Sequence, residues 1–107
     1  MSCVYLLGDK DKNGVYKVGA TRGPIDKRIK SLQTGNSGNI YLVVSHETKH
    51  PFIVESMLHK RYEQKQVLNE WFSLTESDVN DFLTECDKIE EVLKSLQSNY
   101  FFQKKLS

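Results

Sequence analysis

A chain of 107 residues has room for one hydrophobic core, which excludes a second folded domain. Apolar residues at 38% and charged ones at 27% exclude a disordered chain, and no apolar run approaches the length of a bilayer span. The net charge of +1 excludes a strongly basic protein; it divides unevenly, residues 1–75 holding 11 Lys/Arg against 7 Asp/Glu and residues 76–107 holding 4 against 7, an asymmetry too small to identify a nucleic-acid binder by itself.

In chain order, Cys3–Leu7 and Gly14–Gly19 are short β-favouring runs separated by the polar stretch from Gly8 to Asn13, which predicts a hairpin. Gly23-Pro24 opens a helix whose buried stripe is Ile25, Ile29 and Leu32, with Lys27, Arg28 and Lys30 on other faces. The cluster Thr34–Asn39 ends it. Ile40–Val44 is a third strand, apolar enough to be central.

Pro51 begins a second helix running to about Tyr62 and burying Val54, Met57 and Leu58. Trp71–Leu74 is a fourth extended segment. Thr75 to Asp78 predicts a helix start, with Asp78 in the Glu/Gln position of a capping box, and the third helix carries Val79, Phe82, Leu83, Cys86, Ile89, Leu93 and Leu96. The order β-β-α-β-α-β-α predicts an α/β (α+β) fold, a small, mostly antiparallel sheet flanked by helices. Residues 1–75 would form the core, and residues 76–107 a C-terminal helix and tail on the same domain, with Tyr100-Phe101-Phe102 packing back on the domain or on a second copy. Cys3 and Cys86 form no CxxC pair; two buried free thiols in an intracellular protein of cytoplasm or nucleus, lacking a secretory leader, are expected.

Two local motifs suggest metal chemistry and lack its structural context. Asp9–Gly14 matches the first half of a calcium loop, but the twelfth position, which needs a bidentate Glu, is Ala20. His46-Glu47-Thr48-Lys49-His50 matches the HExxH of zinc peptidases, which requires one continuous helix. Here the motif follows a β-branched strand, and Pro51 pushes His50 out of helical geometry. A third constellation is spread along the chain: Tyr5, Lys17, Arg28, and then Glu55 with His59, four apart on one helix face. A phenol, an amine, a guanidinium and a carboxylate suit single-metal phosphodiester hydrolysis, which needs a water, a held cation and a neutralised phosphate.

The strings Cys3-Val4-Tyr5 and Tyr16-Lys17-Val18-Gly19-Ala20-Thr21, then Arg28, Leu32-Gln33-Thr34-Gly35-Asn36, Glu55 with Leu58-His59 and Tyr62, and Glu70-Trp71-Phe72 follow one another in order over residues 3–74. Together they resemble the GIY-YIG nuclease superfamily, in the branch found in phage and large-DNA-virus proteins. The resemblance implies a divalent-metal-dependent endonuclease acting on DNA, with Tyr5 activating or positioning water, Arg28 holding the scissile phosphate and Glu55 as the single protein ligand to Mg²⁺ or Mn²⁺. The family's first Gly is Cys3 here, its second Tyr is Lys17 with Tyr16 displaced beside it, and its frequent His four after Arg28 is Leu32. Strand alternation puts Lys17 and Tyr16 on opposite faces, and because some restriction enzymes of the family use Lys at this place, the resemblance implies Lys17 in the site and Tyr16 in packing, with Tyr16 as the substitute if the register is reversed. His59 is then the histidine of the site. Arg22, Lys27, Lys30 and Asn36 are expected to contact DNA. Without a second recognition domain, specificity would come from a homodimer or a separate partner. The rival reading keeps the fold as a DNA-binding or partner-docking module of weak activity, which Cys3 and Leu32 favour; a zinc metallopeptidase through the HExxH match is less favoured.

Overall fold

The computed structural model describes residues 1–35 and 38–97, with Gln97 described by its backbone. Asn36 and the Tyr100–Phe102 tail, and with them the expectations placed on them, lie outside the described residues.

Strand β1 (Cys3–Asp9) is buried along its whole length and pairs antiparallel with β2 (Lys12–Thr21) on one side and β3 (Ile40–Glu47) on the other. The turn between β1 and β2 is held by the Asp9 carboxylate, which accepts from the backbone N–H of Asp11 (2.9 Å) and of Asn39 (3.2 Å). Those hydrogen bonds draw its pKa below the usual carboxylate value. The calcium-loop resemblance is thus a polar turn, as its missing ligand implies. Gly14 follows at φ 77°, a left-handed conformation that glycine accepts without strain.

The sheet has five strands in the order β3-β1-β2-β5-β4, every pair antiparallel. Two expectations need correction. The apolar run Ile40–Val44 is at an edge, not central: among the described residues β1 is its one neighbouring strand, and Tyr41 and Leu42 stay exposed. An extra strand, β4 (Gln66–Leu68), precedes β5 (Trp71–Ser73); its three residues are all exposed, so no buried-face pattern announced it. Asn69 turns the chain between them at φ 52°, tolerable for Asn, and its carbonyl accepts from Gln66 Nε2 (2.6 Å).

Helix α1 (Ile25–Thr34) lays Ile25, Ile29 and Leu32 over Cys3, Tyr5, Leu7 and Ile40 on one face of the sheet. The opposite face carries the larger core: Val4, Leu6, Val18 and Phe72 meet Val54 and Leu58 of α2 (Pro51–Arg61) and Phe82, Cys86 and Ile89 of α4 (Phe82–Gln97). The single third helix expected is two, a short α3 (Glu76–Asn80) and α4, divided at Asp81. Helix α3 starts with the expected capping box: Asp78 N–H donates to the Thr75 hydroxyl (3.1 Å) and Thr75 N–H to the Asp78 carboxylate (2.9 Å). Cys3 and Cys86 are free, buried and on opposite faces. Among the described residues no helix is long and apolar enough to cross a membrane.

Candidate active site

Tyr5 and Gly19 are direct partners across β1 and β2, and so are Leu7 and Lys17. Directly opposed residues share a face, so Tyr5, Lys17 and Gly19 all point toward the side that carries α1. Tyr16 points the other way and packs against the main core, opposite Phe72. Glycine at 19 has a steric cause: a Cβ there would stand 2.5 Å from Cζ and the hydroxyl of Tyr5. The ring therefore lies flat across the β2 backbone, fully buried, and its hydroxyl accepts a hydrogen bond from Arg28 Nε on α1 (3.3 Å). Burial pushes the phenol's pKa up, and the neighbouring guanidinium offsets part of that rise. Tyr5 thus stays protonated at neutral pH, and its suits are donor and acceptor rather than phenolate.

The edge of β2 supplies the rest. β5 pairs with β2 at Val15, Tyr16 and Lys17, so beyond Lys17 that edge has no strand beside it among the described residues. Two residues occupy the gap. The Glu70 carbonyl accepts from Val18 N–H (3.0 Å), and His59 Nε2, which must carry its proton to do so, donates to the Val18 carbonyl (2.8 Å). In the neutral ring this leaves the lone pair on Nδ1. The Glu70 side chain turns to Lys17, whose Nζ donates to its carboxylate at 2.7 Å and stands 5.9 Å from the centre of the Trp71 ring.

A carboxylate oxygen each of Glu55 and Glu70 and a ring nitrogen of His59 lie within 4.8 Å of one another. Glu70 has Lys17 as a counter-charge. Glu55 makes no hydrogen bond or ion pair among the described residues although it is half-buried, and burial first, then repulsion from Glu70, raises its pKa. An unpaired, partly desolvated carboxylate beside a second one is the environment that a divalent cation would relieve, and oxygen donors are what Mg²⁺ and Mn²⁺ take. The residues present therefore fit such an ion. In the sequence Glu70 stands only in the string Glu70-Trp71-Phe72, with no site role; its approach to Glu55 depends on the β4–β5 turn, which no local pattern signals.

Tyr5, Lys17, Arg28, Glu55 and His59 are thus brought to one place, linked by Tyr5–Arg28 contact and by Glu70, while Tyr16 is outside it. The expected DNA contacts are split. Arg22, just after β2, has its guanidinium 5.2 Å from the centre of the Phe52 ring. Lys27 is exposed on α1, about 100° round the helix from Arg28. Lys30 is on the opposite flank, where it lines a shallow cavity with Asp26, Ile29, Gln33 and Ile40, so it does not join Arg28 at the site. Cys3 and Leu32 are packing residues under and on α1. The HExxH residues form no helix: His46 and Glu47 end β3, Thr48 and Lys49 link, and Pro51 starts α2. His46 Nε2 instead stands 3.7 Å from Glu90, and Thr48 donates to the same carboxylate (2.8 Å), which ties β3 to α4.

The model of the T5orf172 domain matches residues 2–94, and the chain belongs to that family. No curated protein and no solved structure matches the chain.

Proposed function

We propose that this T5orf172 domain, of a kind found in phage and related nucleases, is a divalent-metal-dependent endonuclease that hydrolyses DNA phosphodiester bonds at a GIY-YIG-type single-metal site. The observation that carries the reading is the half-buried, unpaired carboxylate of Glu55 gathered with the Glu70 carboxylate and the His59 ring, and near Lys17, Arg28 and Tyr5. Arg28 holds the scissile phosphate, its remaining N–H donors free to fork onto two phosphate oxygens while Nε keeps the Tyr5 hydroxyl. Tyr5 orients the attacking water; being protonated, it positions rather than deprotonates. Lys17 lies on the same face and adds positive charge where the pentavalent phosphate gains negative charge. His59, with Nδ1 unprotonated in its neutral ring, takes a proton. Glu55 would hold Mg²⁺ or Mn²⁺, which would supply charge stabilisation at the phosphate and the leaving oxygen.

Glu55→Gln keeps the size and removes the charge. Supercoiled plasmid incubated with Mg²⁺ or Mn²⁺ should be cut by the wild type, and cleavage by the variant should fall on the order of a hundredfold or more, with an unchanged circular-dichroism spectrum. Cleavage by Glu55→Gln at the wild-type rate would sink the assignment.

A further inference from the structure

Helix α2 runs back along the open edge of β2, and two contacts fix the alignment: His59 on the Val18 carbonyl, and Phe52 under the Arg22 guanidinium. Phe52, Glu55 and His59 are separated by three and four residues, so they share one face of the helix. Phe52 nevertheless keeps 48% of its surface exposed. A large ring is therefore presented at the rim of the cleft, with a cation stacked on one side of it. Phe52 therefore stands about one helical turn from Glu55 on the same face of α2, beside the residue proposed to hold the cation.

We propose that Phe52 and Arg22 form a stacking clamp for the nucleotide beside the scissile phosphate, and that the preferred substrate is DNA with unpaired bases at the cut, such as a single strand, a gap or a frayed end. The inference rests on the nuclease reading for the position of that phosphate. An aromatic face accepts any base, because every base has a π-face, but a base paired inside a duplex has both faces covered by its neighbours. Arg22 meanwhile neutralises the flanking phosphate and holds the ring by cation–π attraction. The clamp thus selects for strand opening and not for sequence.

The test uses the full chain in EDTA, so that nothing is cut, with oligonucleotides carrying 2-aminopurine in single-stranded and duplex form. The wild type should bind the single strand more tightly and quench its fluorescence. Phe52→Ala should weaken single-strand binding by roughly five- to a hundredfold, the range that stacking of one base provides, and remove the quenching. Phe52→Trp should restore both. Because the ring is half-exposed, its removal leaves no core cavity, and melting curves check the fold. Equal single-strand affinity in wild type and Phe52→Ala overturns the clamp while leaving the nuclease reading to the Glu55→Gln assay. A change in self-association in place of DNA affinity also overturns it, marking the ring as a contact between copies. Failure of the wild type to bind either form in EDTA overturns the clamp, and the nuclease reading is then decided by plasmid cleavage with Mg²⁺ or Mn²⁺.

Discussion

The two faces of the sheet differ in how far they are covered. On one, α2 and α4 span the strands, and Val4, Leu6, Val18, Leu58, Phe72 and Phe82 form a continuous dry layer. On the other, α1 has ten residues and packs over Cys3, Tyr5, Leu7 and Ile40 of β1 and β3. The half of that face over β2 is left to Lys17, Gly19 and Tyr5. The chain uses alternation to separate tasks: odd positions 17 and 19 go to the polar cleft, and even positions 16, 18 and 20 to the core. Along β2 the core residues and the residues of the proposed site alternate, while α2 reaches that site from the core side with Glu55 and His59, so adjacent residues of β2 can be substituted with opposite consequences.

The largest expected contrast is at Lys17 and Tyr16. Lys17→Met keeps the apolar stem and removes the ammonium that faces Glu70, so we expect DNA cleavage to fall on the order of a hundredfold with a melting temperature near that of the wild type. Tyr16→Phe removes a hydroxyl from a ring packed on the core and should leave cleavage within about twofold. Initial rates on plasmid DNA, beside thermal melts, decide it. The reverse pattern, an inactive Tyr16→Phe and an active Lys17→Met, would mean that the face assigned to chemistry is the wrong one.

A smaller effect sharpens the same comparison from the backbone. Gly19→Ala puts a methyl where the Tyr5 ring lies, and Tyr5 is fully buried, so the ring must move. Overpacking of this kind costs about 1–3 kcal/mol, and displacement of the ring breaks its contact with Arg28. Denaturant titration should show that loss, and Tyr5→Leu combined with Gly19→Ala should recover part of the stability without recovering cleavage. If Gly19→Ala is as stable and active as the wild type, the close approach of the ring is not what requires glycine here.

Much of this was legible in the sequence where local pattern and final environment agree. The alternation of Tyr16 and Lys17, the spacing of Glu55 and His59, the Thr75–Asp78 cap and the first hairpin all depend on near neighbours. The misreadings depend on distant ones. Ile40–Val44 is apolar on both sides, which suits a central strand, yet among the described residues nothing pairs with its outer edge. Gln66–Leu68 is exposed throughout and is a strand because β5 lies beside it. Glu70 comes beside Glu55 through a turn at Asn69 that no periodicity signals. Phe52 carried no motif; its signal was a large apolar residue on the face that Glu55 and His59 share.

The smallest effect compares two carboxylates whose surroundings are opposed. Asp78 accepts from Lys65 Nζ (2.6 Å) and from Thr75 N–H, and the ion pair first, then the backbone hydrogen bond, hold its pKa below its ordinary 3.8. Glu55 is raised above its ordinary 4.5 by burial and then by Glu70. A lowered carboxylate binds fewer protons folded than unfolded, so its contribution is present above the ordinary value and is lost as pH falls through the folded one; a raised carboxylate does the reverse, and its charged form costs stability as pH rises from the ordinary value through the folded one. Asp78→Asn should therefore cost about 0.2–1 kcal/mol at neutral pH, the usual range for a part-exposed ion pair, with the deficit shrinking in acid below about pH 4. Metal-free Glu55→Gln should be more stable than the wild type at neutral pH, and that gain should shrink as acid protonates Glu55. Urea titrations from pH 3 to pH 7 without divalent ions would show the two difference curves on opposite sides of zero and converging in acid. A Glu55→Gln protein less stable than the wild type at neutral pH would mean that the carboxylate has a stabilising partner, which would remove the reason to expect a cation beside it.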